Sequence, residues 1–295
     1  MTSTSPLLQE RRIDRSHAVL ELGPDGQVDR KAIVIPPSNF ELFDPFLMLA
    51  EDWFSRPGFD WHPHRGIETV TVVLDGALEH GDSRGNAGVL GPADVQWMTA
   101  GSGIIHRELA HRDEHAHTLQ LWVNLPSTHK MVESRYQDFT LESMLADVRT
   151  GARAHAVSGR LGGVEAPARN HHPITVLQLE IEPGATYPVT LPAQDRAFLY
   201  VRTGRVAADG VDLGAGTVGW SDPVGTTGAE SSLELRSPEG DEPARLLLAS
   251  GAPIGERVVA RGPFVMNSDT EILQAFEDYR RGRFGPIPRL ARVDA

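Results

Sequence analysis

Cysteine is absent from this 295-residue chain. Disulfide frameworks, thiolate nucleophiles and sulfur-ligated metals are thereby excluded, and any metal must sit among nitrogen and oxygen donors. Lysine is nearly absent as well: Lys31 and Lys130 are the two present, so the positive charge is almost wholly arginine. The formal net charge of −12 argues against tight, nonspecific binding to nucleic acid, which needs clustered basic residues. No apolar run approaches the roughly 18 residues of a membrane-spanning helix. The N-terminal stretch Met1–Arg12 has no long apolar segment of the secretory type. A cytoplasmic location, with no membrane and no direct nucleic-acid partner, is the expectation.

Glycine and proline are plentiful, at 29 and 21, and they punctuate short segments rich in Val, Ile, Thr and Leu. Glu68–Leu74, Leu119–Leu125, Ile174–Ile181, Ala197–Val201 and Ala244–Ser250 are such segments. Short strands at regular spacing with turn signals between them predict an all-β sandwich or barrel. Convincing helical periodicity lies mainly in Ser268–Arg281, where Ile272, Leu273, Phe276 and Tyr279 share a stripe. Ser268 or Asp269 can cap that helix and Gly282 can end it. An internal repeat is also visible. Val73-Leu-Asp-Gly76 precedes Gly91-Pro-Ala-Asp-Val95-Gln-Trp97, and Val201-Arg-Thr-Gly204 precedes Gly214-Ala-Gly-Thr-Val218-Gly-Trp220. Two copies of one barrel explain it. The expected organisation is a metal-binding barrel over residues 1–135, a connecting segment over 136–165, and a metal-free barrel plus the terminal helix over 166–295.

The segment Trp61-His62-Pro63-His64 carries two histidines at i, i+2, and Gly101-Ser-Gly-Ile-Ile-His106-Arg-Glu108 carries a histidine and a carboxylate at the same spacing. On a strand such pairs point to one face. Two strands bearing them can bring three imidazoles and a carboxylate to one ion and leave coordination positions open, as catalytic metal sites do. Glu68 competes with Glu108 for the fourth position. It shares the parity of His62 only if Gly66 does not break the strand, so Glu108 is the expected ligand and Glu68 a supporting residue. His80, ahead of Asp82-Ser-Arg-Gly-Asn86, is expected on a loop near the site mouth. His111, His115, His117, His129, His155, His171 and His172 have no partner at ligand spacing.

These motifs resemble the pirin family of the cupin superfamily. The resemblance runs from about residue 30 to Gly285. It is carried by His62-Pro-His64-Arg-Gly-Ile-Glu-Thr-Val-Thr71, by Gly91–Glu108, and by Asp44–Leu49, Leu119–Leu125 and Gly262–Asn267. It implies a bicupin of two β-barrels with a C-terminal α-helix. The implied ligands are His62, His64, His106 and Glu108, for one divalent ion. Iron(II) is the usual ion, and Mn, Ni, Cu, Co or Zn are compatible with the donors. In the second half Pro188-Val-Thr190 stands where a His-x-His pair would be, which implies no metal there. Some relatives resemble quercetin 2,3-dioxygenases. The implied activity is therefore cleavage of a flavonol with O2, with Glu108 expected to take the substrate proton. Phe46, Met48, Phe59, Trp61 and Trp97 are candidates for apolar walls, and each reads more readily as ordinary barrel core. The alternative is a non-catalytic, iron-dependent redox sensor that binds and regulates a partner protein.

Overall fold

The computed structural model describes residues 8–55, 58–240 and 242–287. Among the described residues the chain is all-β apart from one four-residue helical turn, three short 3-10 turns and the helix Asp269–Arg280. It divides into two compact units, and neither is one continuous stretch of sequence. One comprises Leu20–Ser143, Asn170–His172 and Ile254–Ala295; the other comprises Met1–Val19, Met144–Arg169 and Pro173–Pro253.

The unit built on Leu20–Ser143 is a pair of sheets. Seven strands lie in the order Arg135–Phe139, Val95–Thr99, Ile67–Gly76, Ala116–Asn124, Phe46–Phe54, Arg30–Ile35 and Leu20–Leu22. Four lie in the order Phe59–His64, Ile104–Ala110, Leu78–Asp82 and Ala87–Leu90. All neighbours are antiparallel. Ile67–Gly76 takes a central place in the larger sheet because its β-branched residues Ile67, Val70, Val72 and Val73 pack well on a pleated surface and are fully buried.

The second unit repeats the plan, with a seven-stranded sheet and a five-stranded one. Trp97 and Trp220, the matched tryptophans of the internal repeat, both lie on strands and are both fully buried. The two interiors differ in chemistry. The strand Thr186–Pro192 turns Tyr187, Val189 and Leu191 inward and leaves Pro188 and Thr190 exposed. Those residues join Leu177, Leu179, Leu199, Leu246 and Leu248 in a continuous apolar core.

The units differ from the boundaries 1–135, 136–165 and 166–295. The stretch given as a connecting segment is structured. Arg135–Phe139 pairs with Val95–Thr99 in the first unit, and Leu145–Arg149 and Ala152–Ser158 open the large sheet of the second. The terminal helix packs in the first unit with Ile105, Phe264, Met266 and Phe284. The physical reason is burial. The helix needs an apolar surface, and it meets one made by Phe264 and Met266 on the strand just before it together with Ile105, more than 160 residues earlier in the chain.

Ser268 caps the helix, accepting from the Glu271 backbone N–H at 3.3 Å and donating its hydroxyl to Glu271 at 2.9 Å. Gly282, at φ 71°, ends it. The buried face is Ile272, Ala275 and Asp278, whereas Leu273 is 65% exposed. The expected stripe is thus rotated, because the strip it packs on accepts small Ala275 and an acid engaged in an ion pair. Ile272→Ala should therefore cost about 2–5 kcal/mol in urea unfolding, while Leu273→Ala should stay within about 0.5 kcal/mol. Equal losses at both positions would contradict the observed rotation.

Candidate metal centre

His62 and His64 end the strand Phe59–His64, and His106 lies on the adjacent strand Ile104–Ala110. The antiparallel register sets His106 directly opposite His62 and Ile104 opposite His64. The three rings are mutually adjacent, with centroids 4.3, 4.9 and 5.0 Å apart. One ring nitrogen from each lies within 4.8 Å of the others, a spacing that could hold a metal ion.

Hydrogen bonding decides which nitrogens are free. His62 Nδ1 lies 2.7 Å from the Asp60 carbonyl and His64 Nδ1 lies 3.3 Å from the Pro263 carbonyl. A carbonyl only accepts, so both Nδ1 atoms carry the proton, and Nε2 is the nitrogen by which either ring in its neutral form can ligate. His64 Nε2 and both ring nitrogens of His106 are buried without a hydrogen-bond partner among the described residues. Leaving buried polar atoms unpaired is costly in a protein interior, and a cation shared by the three imidazoles would relieve that cost. Burial and the neighbouring imidazoles push the His64 and His106 pKa values well below the ordinary value. Both rings are therefore neutral, the form that ligates.

Glu108 is not among the three mutually adjacent donors. A bulge separates it from His106, shifting its partner from the expected position to Phe59. Its carboxylate is buried, accepting from the Thr71 hydroxyl at 3.1 Å and from Gln120 Nε2 at 2.6 Å. Gln120 in turn accepts from the Trp122 indole at 3.1 Å, and Trp122 packs edge-on against His64 at 5.0 Å. Thr71, Gln120 and Trp122 lie on the seven-stranded sheet, so this network ties the two sheets together around the site. Sequence reasoning missed all three. Their only signal is the alternation that places Gln120 and Trp122 on one face of a strand.

Glu68 departs from the histidines because the chain turns at Gly66, at φ 79°, and Ile67 begins a strand of the other sheet. It is fully buried and accepts from the Thr99 hydroxyl at 2.7 Å. Burial raises it to about 7. His80 is not on a loop: it lies on the strand Leu78–Asp82, opposite Glu108 and 1% exposed. The turn begins two residues later than expected, where Asp82 accepts from the Arg84 and Asn86 backbone N–H groups. His80 Nε2 is 3.3 Å from Asp138 and its ring stacks on Tyr136.

Of the aromatic candidates, Phe46 and Trp97 are core. Phe59 meets His62 edge-on at 6.4 Å, and Trp61 lies under the Arg107 guanidinium at 5.2 Å. Other histidines pair with acids: His117 with Glu51 at 2.6 Å, His111 with Glu79 at 3.3 Å and His115 with Asp75 at 3.0 Å. Among the described residues no helix is long and apolar enough to cross a membrane.

The depressed His64 and His106 values carry a stability consequence. Below about pH 6.5 the unfolded chain binds protons that these buried rings do not, so metal-free protein loses stability as pH falls through that region. Asp52, raised to about 7 by burial, acts in the opposite direction. The informative quantity is therefore the difference between wild type and His106→Gln. Urea midpoints at pH 7.5 and 5.5 should fall more steeply for wild type, and parallel profiles would contradict a buried neutral His106.

Comparison with known proteins follows the same motifs. The Pirin family profile matches residues 30–123, and the Pirin C-terminal cupin domain profile matches residues 176–285. A pirin-like protein of Solanum lycopersicum is 39% identical over 269 residues, covering 88% of each chain. A Pseudomonas aeruginosa protein provisionally named as a quercetin 2,3-dioxygenase is 38% identical over 291 residues, covering 91% of this chain and 98% of its own. The crystal structure of a quercetin 2,3-dioxygenase from Acinetobacter baumannii superposes with a TM-score of 0.83 at 28% identity, covering 95% of this chain and all of the other.

Proposed function

This chain belongs to the pirin family, and from that premise we propose that it is a metal-dependent dioxygenase cleaving a flavonol such as quercetin with O2. The observation that carries the proposal is the cluster of three imidazoles converging from two strands, of which His64 and His106 are buried and neutral with unpartnered ring nitrogens. The likeness to proteins named for quercetin 2,3-dioxygenase supports the substrate class.

His62, His64 and His106 are the proposed imidazole ligands and Glu108 the proposed fourth donor. A nitrogen and oxygen set without thiolate suits iron(II) and equally admits Mn, Ni, Cu, Co or Zn. A divalent ion held by these residues would supply Lewis acidity, lowering the pKa of a substrate 3-hydroxyl. The chain's own residues do the rest. Glu108 accepts the 3-hydroxyl proton. Thr71 donates to one of its oxygens and Gln120 to the other, which fixes the carboxylate. Phe59, edge-on to His62, offers an apolar flank for an aromatic substrate.

Purified protein loaded with iron(II), nickel(II) or manganese(II) should consume O2 with quercetin and release carbon monoxide, and chelated protein should not. Equal activity with and without metal would end the proposal. His106→Ala should abolish both metal uptake and turnover. Glu108→Gln should lower kcat by about 10²–10⁴-fold, the usual contribution of a positioned base. The redox-sensing alternative entails the same metal uptake with no turnover of any flavonol, so the oxygen-uptake assay separates the two.

A further inference from the structure

Immediately after the two strand histidines the chain is gripped by a segment far away in sequence. Pro263, 199 residues from His64, supplies the carbonyl that meets His64 Nδ1. The next residue, Arg65, pairs in a parallel bridge with Phe264, and its carbonyl accepts from the Val265 N–H at 3.1 Å. The Arg65 guanidinium bonds the Asp278 carboxylate of the terminal helix at 2.9 Å and the Ser102 carbonyl at 2.7 Å, and stacks over Phe284 at 4.7 Å. Arg65 and Asp278 are both buried. Gly66 follows, where a Cβ would collide with the Val265 carbonyl. Lys130 closes the arrangement. It is 2% exposed and donates to the Gly66 carbonyl at 2.8 Å, the Val265 carbonyl at 3.0 Å and Asn124 at 2.6 Å. An ammonium has three protons, and here each has an acceptor.

This geometry points to Pro263–Phe284 as a positioning element of the metal centre. It sets the tautomer of His64 through the Pro263 carbonyl and is held in register by the Arg65–Asp278 pair and the Lys130 ammonium. The argument is one of constraint. A 3.3 Å bond to a carbonyl is easily lost if the backbone bearing it drifts. The neighbouring residues Phe264 and Val265 are fixed to Arg65, Gly66 and Lys130, so the carbonyl cannot move without breaking buried hydrogen bonds. A residue that orients a ligand imidazole in this way typically changes metal affinity by about 10–100-fold when removed. The inference rests on the metal reading of the three histidines.

The test uses the full chain and nickel(II) as probe. In metal-free wild type, long-range ¹H–¹⁵N spectra should show His64 as the Nδ1–H tautomer with a slowly exchanging proton, and an Nε2–H tautomer overturns the inference whatever the metal result. Asp278→Asn and Lys130→Met should each raise the nickel dissociation constant about 10–100-fold and shift the bound ion's electronic spectrum. Asp278→Glu, which keeps the charge, should recover most of the affinity. Glu277→Gln removes exposed pairs with Arg280 and Arg281 from the same helix and should leave affinity unchanged. Wild-type affinity in folded Asp278→Asn, or an equal loss in Glu277→Gln, overturns the inference. If wild type itself takes up no nickel or other divalent ion, the proposed function fails, and the tautomer measurement still decides the role of the Pro263 carbonyl.

Discussion

The pairing of His106 opposite His62 across two antiparallel strands is the constraint on which the rest of the site depends. Side-chain direction on a strand follows parity, so this register brings His64 to the same cluster without further adjustment. A slip of one residue would turn the imidazoles toward the opposite face. The register is held where it matters. On one side Asp60 and Pro263 carbonyls take the Nδ1 protons, and on the other the Ile104–Ala110 strand continues into pairing with Leu78–Asp82. The unpaired nitrogens that result are the cost of a site prepared to ligate, offset when a cation is bound.

The two halves show how one architecture serves two ends. Both place a buried tryptophan at the same point of a repeated strand pattern. In the second half the interior is closed by Tyr187, Val189, Leu191 and a set of leucines, which stabilise by excluding water. In the first, Glu108, Thr71, Gln120, His80 and Asp82 occupy positions between the sheets, each tied to a neighbour or facing the histidines. Buried polar groups of this kind stabilise little and specify a great deal, because each must find its partner for the packing to close. The fold supplies the frame, and the side chains of one interior supply the chemistry.

Much of this was legible in the residues themselves. The strand segments, the repeat and the His62/His64 pair follow from period-2 alternation, and the helix from its cap at Ser268 and its end at Gly282. What misled were positions where a local pattern meets a distant partner. Leu273 fits the helical stripe as well as Ala275 does, yet the surface the helix meets selects Ala275 and leaves Leu273 exposed. His80 reads as a loop residue because Asp82-Ser-Arg-Gly-Asn86 is a strong turn signal, but the strand runs on to Asp82 before the turn closes.

The amino-acid order alone determined the donor chemistry: no thiolate, three histidines at strand spacing and an acidic residue two beyond the last. It also determined the all-β character and the twofold repetition, since hydrophobic period and turn residues are local properties. Only the tertiary structure decided that the segment from Ile254 returns to the unit built on Leu20–Ser143, that the Glu108 carboxylate accepts from Thr71 and Gln120, and that Pro263 faces His64. Those are contacts between residues tens to hundreds of positions apart. They are fixed by how sheets and helix bury their apolar faces against one another, which no local pattern records.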